Sequence, residues 1–120
     1  METFERVFQP RFEDVFGKDH LLKGRWSAKV FGNDRPIVLE LGCGKGEYTV
    51  GQAEKDPARN YIGVDIKGAR MWKGAKKAHE KNLDNVAFLR TRIEFIESFF
   101  TSGEVEEIWI TFPDPQLKRR

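Results

Sequence analysis

Four short apolar segments alternate with segments of helical pattern, and this alternation constrains the fold more than any other feature of the sequence. The predicted strands are Ile37–Leu41, Asn60–Asp65, Val86–Arg90 and Ile108–Phe112. The predicted helices between them are Glu47–Glu54, Ala69–Lys81 and Ile93–Phe100. Strands that alternate with helices form βαβ units, whose right-handed crossovers give a parallel, doubly wound α/β sheet with ligands at the carboxyl ends of its strands.

The composition fits one small domain. The 120 residues include one cysteine and two histidines, which is too few for a disulfide framework or a Cys-rich zinc module. No apolar run approaches the roughly 20 residues that a membrane span requires, and the N-terminal residues lack a signal-peptide pattern. We therefore expect a cytoplasmic protein with no metal site and no membrane association.

Residues 1–35 precede the first predicted strand and are expected to form a packing appendage to a domain of residues 36–120. Apolar side chains recur in this appendage at near-helical spacing, at Phe4, Val7, Phe8, Phe12, Val15 and Phe16. No Pro/Ser-rich linker, internal repeat or low-complexity tract divides the chain.

A glycine-rich loop follows the first predicted strand directly and leads into a helix. Its glycines are Gly42, Gly44 and Gly46, and Glu40 precedes them. Glycine allows a tight turn and the close approach of a ligand to the backbone. A dinucleotide fingerprint would have glycine at position 47, where this sequence has Glu47, and no Walker lysine-serine or lysine-threonine pair follows the loop. The pattern favours a cationic, phosphate-free cofactor such as S-adenosyl-L-methionine, with a plain strand-to-helix turn as the alternative.

Asp65 ends the second predicted strand, 23 positions after Gly42. A carboxylate at this place in a doubly wound sheet accepts hydrogen bonds from the hydroxyls of a ribose. The alternative role for an aspartate at a strand end is to cap the following helix. The glycine loop and Asp65 together favour the cofactor role.

A third motif follows the last predicted strand. Pro113 and Pro115 fix the backbone on both sides of Asp114, and a basic cluster, Lys118 to Arg120, comes directly after them. A rigid loop of this kind can aim Asp114 at a reacting centre, and the basic residues can hold phosphate. A loop with solvated charges is the alternative.

A row of basic residues occupies one side of the second predicted helix. Its members, spaced by 3, 3, 4 and 4 residues, are Lys67, Arg70, Lys73, Lys77 and Lys81. Such a row is either a contact surface for the RNA backbone or a solvated helix face.

With these motifs in place, the chain from about Pro36 to Arg120 resembles the bacterial tRNA (guanine-N7-)-methyltransferase family, which has a Rossmann-like class I fold and uses S-adenosyl-L-methionine. The segment Pro113 to Arg120 is the most specific part of the resemblance. The resemblance implies that tRNA is the substrate and 7-methylguanosine the product. It also implies that Asp114 lies beside the transferred methyl group and that Lys118 contacts RNA. The cofactor-binding residues that it implies are Glu40, Gly42, Gly44, Gly46, Asp65 and Asp114.

Three departures from the family pattern change what is expected. Gln116 stands where the family usually has tryptophan, and Arg92 stands where it usually has an acid that contacts adenine. The family also has a larger sheet than the four strands predicted here. We therefore expect the chain to be the cofactor-binding half of the methyltransferase domain. The alternative functions are methylation of another RNA or DNA position and a non-catalytic RNA-binding remnant.

Overall fold

Five parallel strands form one sheet in the part of the chain that the structure, a computed structural model, describes, which is residues 6–110. Its strands and α-helices in chain order are β1 (Val7–Phe8), β2 (Ile37–Leu41), α1 (Glu47–Lys55), β3 (Asn60–Asp65), α2 (Gly68–Glu80), β4 (Val86–Arg90) and β5 (Glu107–Ile110). Shorter helical segments are a 3₁₀ turn at Phe12–Asp14, a π-helix at Trp26–Phe31 and a 3₁₀ helix at Ile93–Ser98.

The sheet is doubly wound, as the sequence predicts. Its strand order is β1-β4-β3-β2-β5, and every neighbouring pair is parallel. The chain passes from β2 through β3 to β4 in one direction and then returns to the opposite side of β2 for β5. The order therefore reverses between β2 and β5, and ligands of such sheets bind at the carboxyl ends beside this reversal.

The two faces of the sheet are covered by different kinds of structure. Because side chains alternate along a strand, β2 sends Val38 to one face and Ile37 and Leu39 to the other. The face with Val38 packs against α1 and α2. The opposite face packs against the N-terminal segments and against the Ile93–Ser98 helix with its C-cap, Phe99. The other residues that they contribute are Val15, Trp26, Phe31, Phe95 and Ile96.

The sequence predicted the central strands at their observed bounds. β2, β3 and β4 match residue for residue, and both α-helices begin within one residue of the predicted position. The predicted helix at 93–100 is a six-residue 3₁₀ helix, a form suited to short segments. The last strand begins one residue early, at Glu107, and positions 111–112 of the prediction lie outside the described residues.

The N-terminal segment contributes a strand that the sequence analysis did not predict. Val7 and Phe8 pair with Phe88 and Leu89 of β4. The near-helical spacing in this segment does not produce a continuous helix, because Pro10 interrupts it. Trp26 follows in the buried core, where its ring stacks on Phe100 with centroids 5.1 Å apart.

No helix within residues 6–110 is long and apolar enough to cross a membrane. No group of three or more His, Cys, Asp or Glu side chains in this range is arranged to hold a metal ion.

Candidate functional site

The glycine loop folds back against the end of β3. The N–H groups of Gly42 and Cys43 both donate to the carbonyl of Val64, at 2.7 and 3.0 Å. All three predicted glycines adopt positive φ, with values of 78° at Gly42, 57° at Gly44 and 78° at Gly46. Side chains other than glycine rarely adopt this conformation. The backbone of the loop therefore favours glycine at each of these positions.

Gly44 and Gly46 are glycines for different additional reasons. A Cβ at Gly46 would lie 2.6 Å from the ring of Phe88 and 3.3 Å from the Cα of Gly74. Packing between the loop, β4 and α2 thus requires the absence of a side chain. Among residues 6–110, a Cβ at Gly44 would have only the Arg70 guanidinium within 4 Å, at 3.7 Å. Gly46 is needed by the packing of the fold, whereas Gly44, although it is buried, has room for a Cβ beside the Arg70 guanidinium.

Asp65 joins the glycine loop to the start of α2. Its buried carboxylate accepts the N–H of Gly44 at 2.7 Å through Oδ2 and the N–H of Lys67 at 3.0 Å through Oδ1. Lys67 is the residue that caps α2. The alternative role predicted for Asp65, a cap of the following helix, is met in part, because Asp65 binds the residue that caps α2. Its hydrogen bonds to a ribose stay a prediction. Each carboxylate oxygen keeps a further lone pair that can accept a hydrogen bond from a ligand.

Arg70 is a residue of this site that the sequence analysis placed elsewhere. Its Nη2 lies 3.8 Å from Oδ2 of Asp65, and its buried Nε has no hydrogen-bond partner among residues 6–110. The sequence grouped Arg70 with the basic row on α2. Its position in the first turn after Asp65 was the available signal, because that turn faces the glycine loop.

Glu40 lies on the face of the sheet that carries the α-helices. Its buried carboxylate accepts a hydrogen bond from the hydroxyl of Thr49, which is also buried. Thr49 belongs to the first turns of α1. Glu40 therefore ties α1 to β2 directly beneath the glycine loop.

Cys43 is held in its neutral thiol form. Burial raises the pKa of this thiol well above its usual range, and the negative charges of Asp65 and Glu40 raise it further. A nucleophilic cysteine needs the thiolate at neutral pH. Cys43 is thus a buried packing residue of the loop and does not act as a nucleophile.

A cavity of about 270 Å³ opens on the other side of Asp65, at the carboxyl ends of β3 and β4. Ile66 and Phe95 give it apolar walls, and Thr91 and Arg92 line it as well. Arg92 pairs with Glu94 at 3.2 Å. The pKa of Glu94 is lowered by its own backbone N–H and by Arg92. The acid that the family usually has at position 92 is thus replaced by an arginine with a carboxylate beside it.

The remaining predicted site residues, Asp114 and Lys118, lie outside the described residues. The structure brings together Glu40, the three glycines and Asp65 at the carboxyl ends of β2 and β3. Their roles toward a ligand stay predictions.

A family model described as a putative methyltransferase matches residues 34–120. A tRNA (guanine-N(7)-)-methyltransferase from Christiangramia forsetii is 63% identical over 98% of this chain and 52% of its own length. The protein of the same name from Porphyromonas gingivalis is 58% identical over 99% of this chain and 50% of its own length. The chain spans about half the length of these relatives.

A solved structure agrees with the fold. The antibiotic-resistance methyltransferase Kmr is 25% identical, with a TM-score of 0.62 over 75% of this chain and 43% of its own. The Rossmann-like class I fold expected from the sequence is confirmed by this likeness and by the parallel sheet. The chain therefore belongs to the putative methyltransferase family whose model it matches, and its resemblance to the tRNA (guanine-N7-)-methyltransferases is confirmed.

Proposed function

We propose that this chain binds S-adenosyl-L-methionine at the carboxyl ends of β2 and β3 and serves the transfer of its methyl group to N7 of a guanine in tRNA. The observation that carries the proposal is the buried carboxylate of Asp65, 2.7 Å from the backbone N–H of Gly44. Relatives named tRNA (guanine-N(7)-)-methyltransferase support the substrate and the methylated atom. A tRNA substrate places the proposed reaction in the cytoplasm.

The residues at the site fit the chemistry of this cofactor. Asp65 retains lone pairs for the hydroxyls of a ribose, and Gly44 leaves the space beside them open. Glu40 and Asp65 place two buried carboxylates around the loop, which suits a cation. The cavity beside Ile66 and Thr91 has the apolar walls that a flat purine ring requires.

The proposed reaction needs little acid-base catalysis from the protein. The bound cofactor supplies an electrophilic methyl group on a positively charged sulfur. N7 of guanine presents a lone pair and no proton, so the attack needs no general base. We propose that the chain acts by binding and orientation. Asp114 would then be the carboxylate that favours positive charge as it moves toward the purine, and Lys118 a contact to RNA.

The cofactor role of Asp65 is tested by calorimetric titration of the chain with S-adenosyl-L-methionine. Asp65→Asn should weaken binding by about tenfold to a hundredfold, because a hydrogen bond to a charged group contributes roughly 1.5–3 kcal/mol. Asp56→Asn is the matched control, since Asp56 lies on the approach to the opposite end of β3. Equal losses in the two variants would contradict the proposed site.

A second variant covers the case in which Asp65→Asn disturbs the loop that Asp65 holds. Gly44→Ala fits the fold at a strain of about 1–2 kcal/mol from its positive φ, but its methyl group occupies the open space. It should keep the fold, as shown by circular dichroism, and lose cofactor affinity.

The reaction itself is tested by incubating the chain with the cofactor and an unmodified tRNA transcript and identifying the methylated nucleoside by mass spectrometry. Methylation at another atom would contradict the N7 assignment.

A further inference from the structure

The exposed side of α2 carries cations that the proposed cofactor site does not use. These residues, here called the α2 stripe, are Lys67, Lys73, Lys77 and Lys81. All four are exposed. Arg70, which the sequence analysis grouped with them, is half-buried and turned toward Asp65. Arg70, in the first turn of α2, therefore belongs to the candidate site and not to the α2 stripe.

Most of the stripe is available for a partner. Lys81 binds Glu54 of α1 at 3.1 Å. Lys67, Lys73 and Lys77 form no ion pair with any residue in the range 6–110. Lys76 lies beside them over the ring of Trp72, 5.7 Å from its centroid. Unpaired ammonium groups therefore lie along one side of α2, with Lys73 and Lys77 about one turn apart and Lys67 roughly 9 Å before Lys73 along the axis.

The position of the stripe connects it to the site. α2 begins at Gly68, three residues after Asp65, and leads away from the carboxyl end of the sheet. Its inner side is buried through Met71, Ala75 and Ala78. A lipid surface would require apolar side chains on the outer side of the helix. A line of lysines instead complements a chain of phosphates, whose contacts are largely electrostatic.

We propose that the α2 stripe binds the sugar-phosphate backbone of the RNA substrate while the reacting base lies at the carboxyl end of the sheet. The proposal rests on the proposed function, because it takes RNA as the substrate. It assigns Lys67, Lys73 and Lys77 to phosphate contacts, with Lys76 as a neighbouring cation. Such contacts position the RNA without reading its sequence.

The test compares two double variants with the same loss of charge. Lys73→Gln/Lys77→Gln removes the middle of the stripe, whereas Lys18→Gln/Lys29→Gln removes two exposed lysines from the N-terminal segments. Binding of an unmodified tRNA transcript is measured by filter retention over a range of salt concentrations. The stripe variant should bind about tenfold or more weakly at 0.1 M salt, and its salt slope should fall by about 1.4–1.8, the value for two phosphate contacts.

Equal losses in the two variants would show an effect of net charge and overturn the proposal. Absence of tRNA binding by the unchanged chain, or displacement of the tRNA by polyglutamate at equal charge, would also overturn it. Glutamine has a helix propensity close to that of lysine, so α2 should persist in the circular dichroism spectrum. Titration with S-adenosyl-L-methionine separates the two hypotheses. If the stripe variant binds both the cofactor and tRNA as the unchanged chain does, the role of the stripe is contradicted and the proposed function stands. If the unchanged chain does not bind the cofactor, the proposed function itself is contradicted.

Discussion

The two ends of β3 use polar side chains in opposite ways. Before its amino end, Asp56 accepts hydrogen bonds from Arg59 at 2.9 Å and from Tyr61 at 2.8 Å, and Arg59 also binds Glu106. Asn85 donates to three backbone carbonyls at the same end. These groups bind one another and the adjacent backbone. They serve stability.

At the carboxyl end of β3, several polar groups can form hydrogen bonds that the described residues do not supply. Asp65 holds two backbone N–H groups but retains lone pairs, Gly44 leaves open space, and the buried Nε of Arg70 lacks a partner in the described part of the chain. Buried polar groups are costly unless they are satisfied. At the amino end, one buried acceptor, Oδ1 of Asn60, also lacks a partner among residues 6–110. The two ends therefore differ in degree, because most polar groups at the amino end bind one another, whereas Asp65 keeps free lone pairs beside the glycine loop.

The largest expected effect falls on the glycine that the fold itself requires. Gly46→Ala combines a positive φ of 78° with a Cβ 2.6 Å from the Phe88 ring. Backbone strain of roughly 1–2 kcal/mol and overpacking of roughly 1–3 kcal/mol predict a loss of about 2–5 kcal/mol in the free energy of unfolding.

Chemical denaturation of Gly46→Ala and Gly51→Ala checks this expectation. Gly51 lies inside α1 with nothing within 4 Å of its Cβ position, so its alanine variant should gain up to about 1 kcal/mol. Similar stabilities for the two variants would show that the glycine loop is not packed against β4.

The amino-end network should affect stability without affecting the ligand. Asn85→Ala removes the buried side-chain donor that the carbonyls of Ala53, Asp56 and Arg59 share. We expect a loss of about 1–3 kcal/mol in the free energy of unfolding. The affinity for S-adenosyl-L-methionine should not change. Asp84→Ala, at the exposed neighbouring position, is the control and should stay within about 0.5 kcal/mol of the unchanged chain. If Asn85→Ala changed the affinity for S-adenosyl-L-methionine, the amino end of β3 would affect ligand binding as well as stability, which contradicts the proposed difference between the two ends.

Local sequence patterns were enough to predict the three central strands of the sheet. β2, β3 and β4 are buried along almost their whole length and are bounded by proline, asparagine and glycine, so their sequence signal is complete in itself. β1 has two residues and no pattern of its own. It forms because β4 offers an edge and because Phe8 packs against Trp26, with ring centroids 5.4 Å apart. No local reading of the sequence contains that information.

The candidate site shows the same division between local and long-range information. The positions of the glycines and of Asp65 were predicted because the glycines follow β2 and Asp65 ends β3. The difference between Gly44 and Gly46 was not predicted, since it depends on Phe88 in β4 and Gly74 in α2. Arg70 was assigned to the basic row because helical spacing alone does not show which cation turns toward the site. Asp114 and Lys118 lie outside the described residues, and their roles stay predictions.

The smallest expected effect is a pH dependence that belongs to the amino end alone. Burial and the hydrogen bond to Asp56 raise the pKa of Tyr61 to about 12, against an ordinary value near 10. A raised pKa means that the fold favours the neutral phenol. This contribution to stability is complete below about pH 10 and is lost as the pH rises toward about 12.

Tyr61→Phe has no phenol to ionise, so its stability deficit relative to the unchanged chain should shrink across that range. Urea denaturation at intervals from pH 9 to pH 12 measures the difference, and Tyr48→Phe, at an exposed tyrosine near the opposite end of the sheet, controls for the loss of one hydroxyl. Parallel stability curves for Tyr61→Phe and the unchanged chain would show that the Asp56–Tyr61 contact does not stabilise the amino end, and the contrast between the two ends would then rest on Asn85.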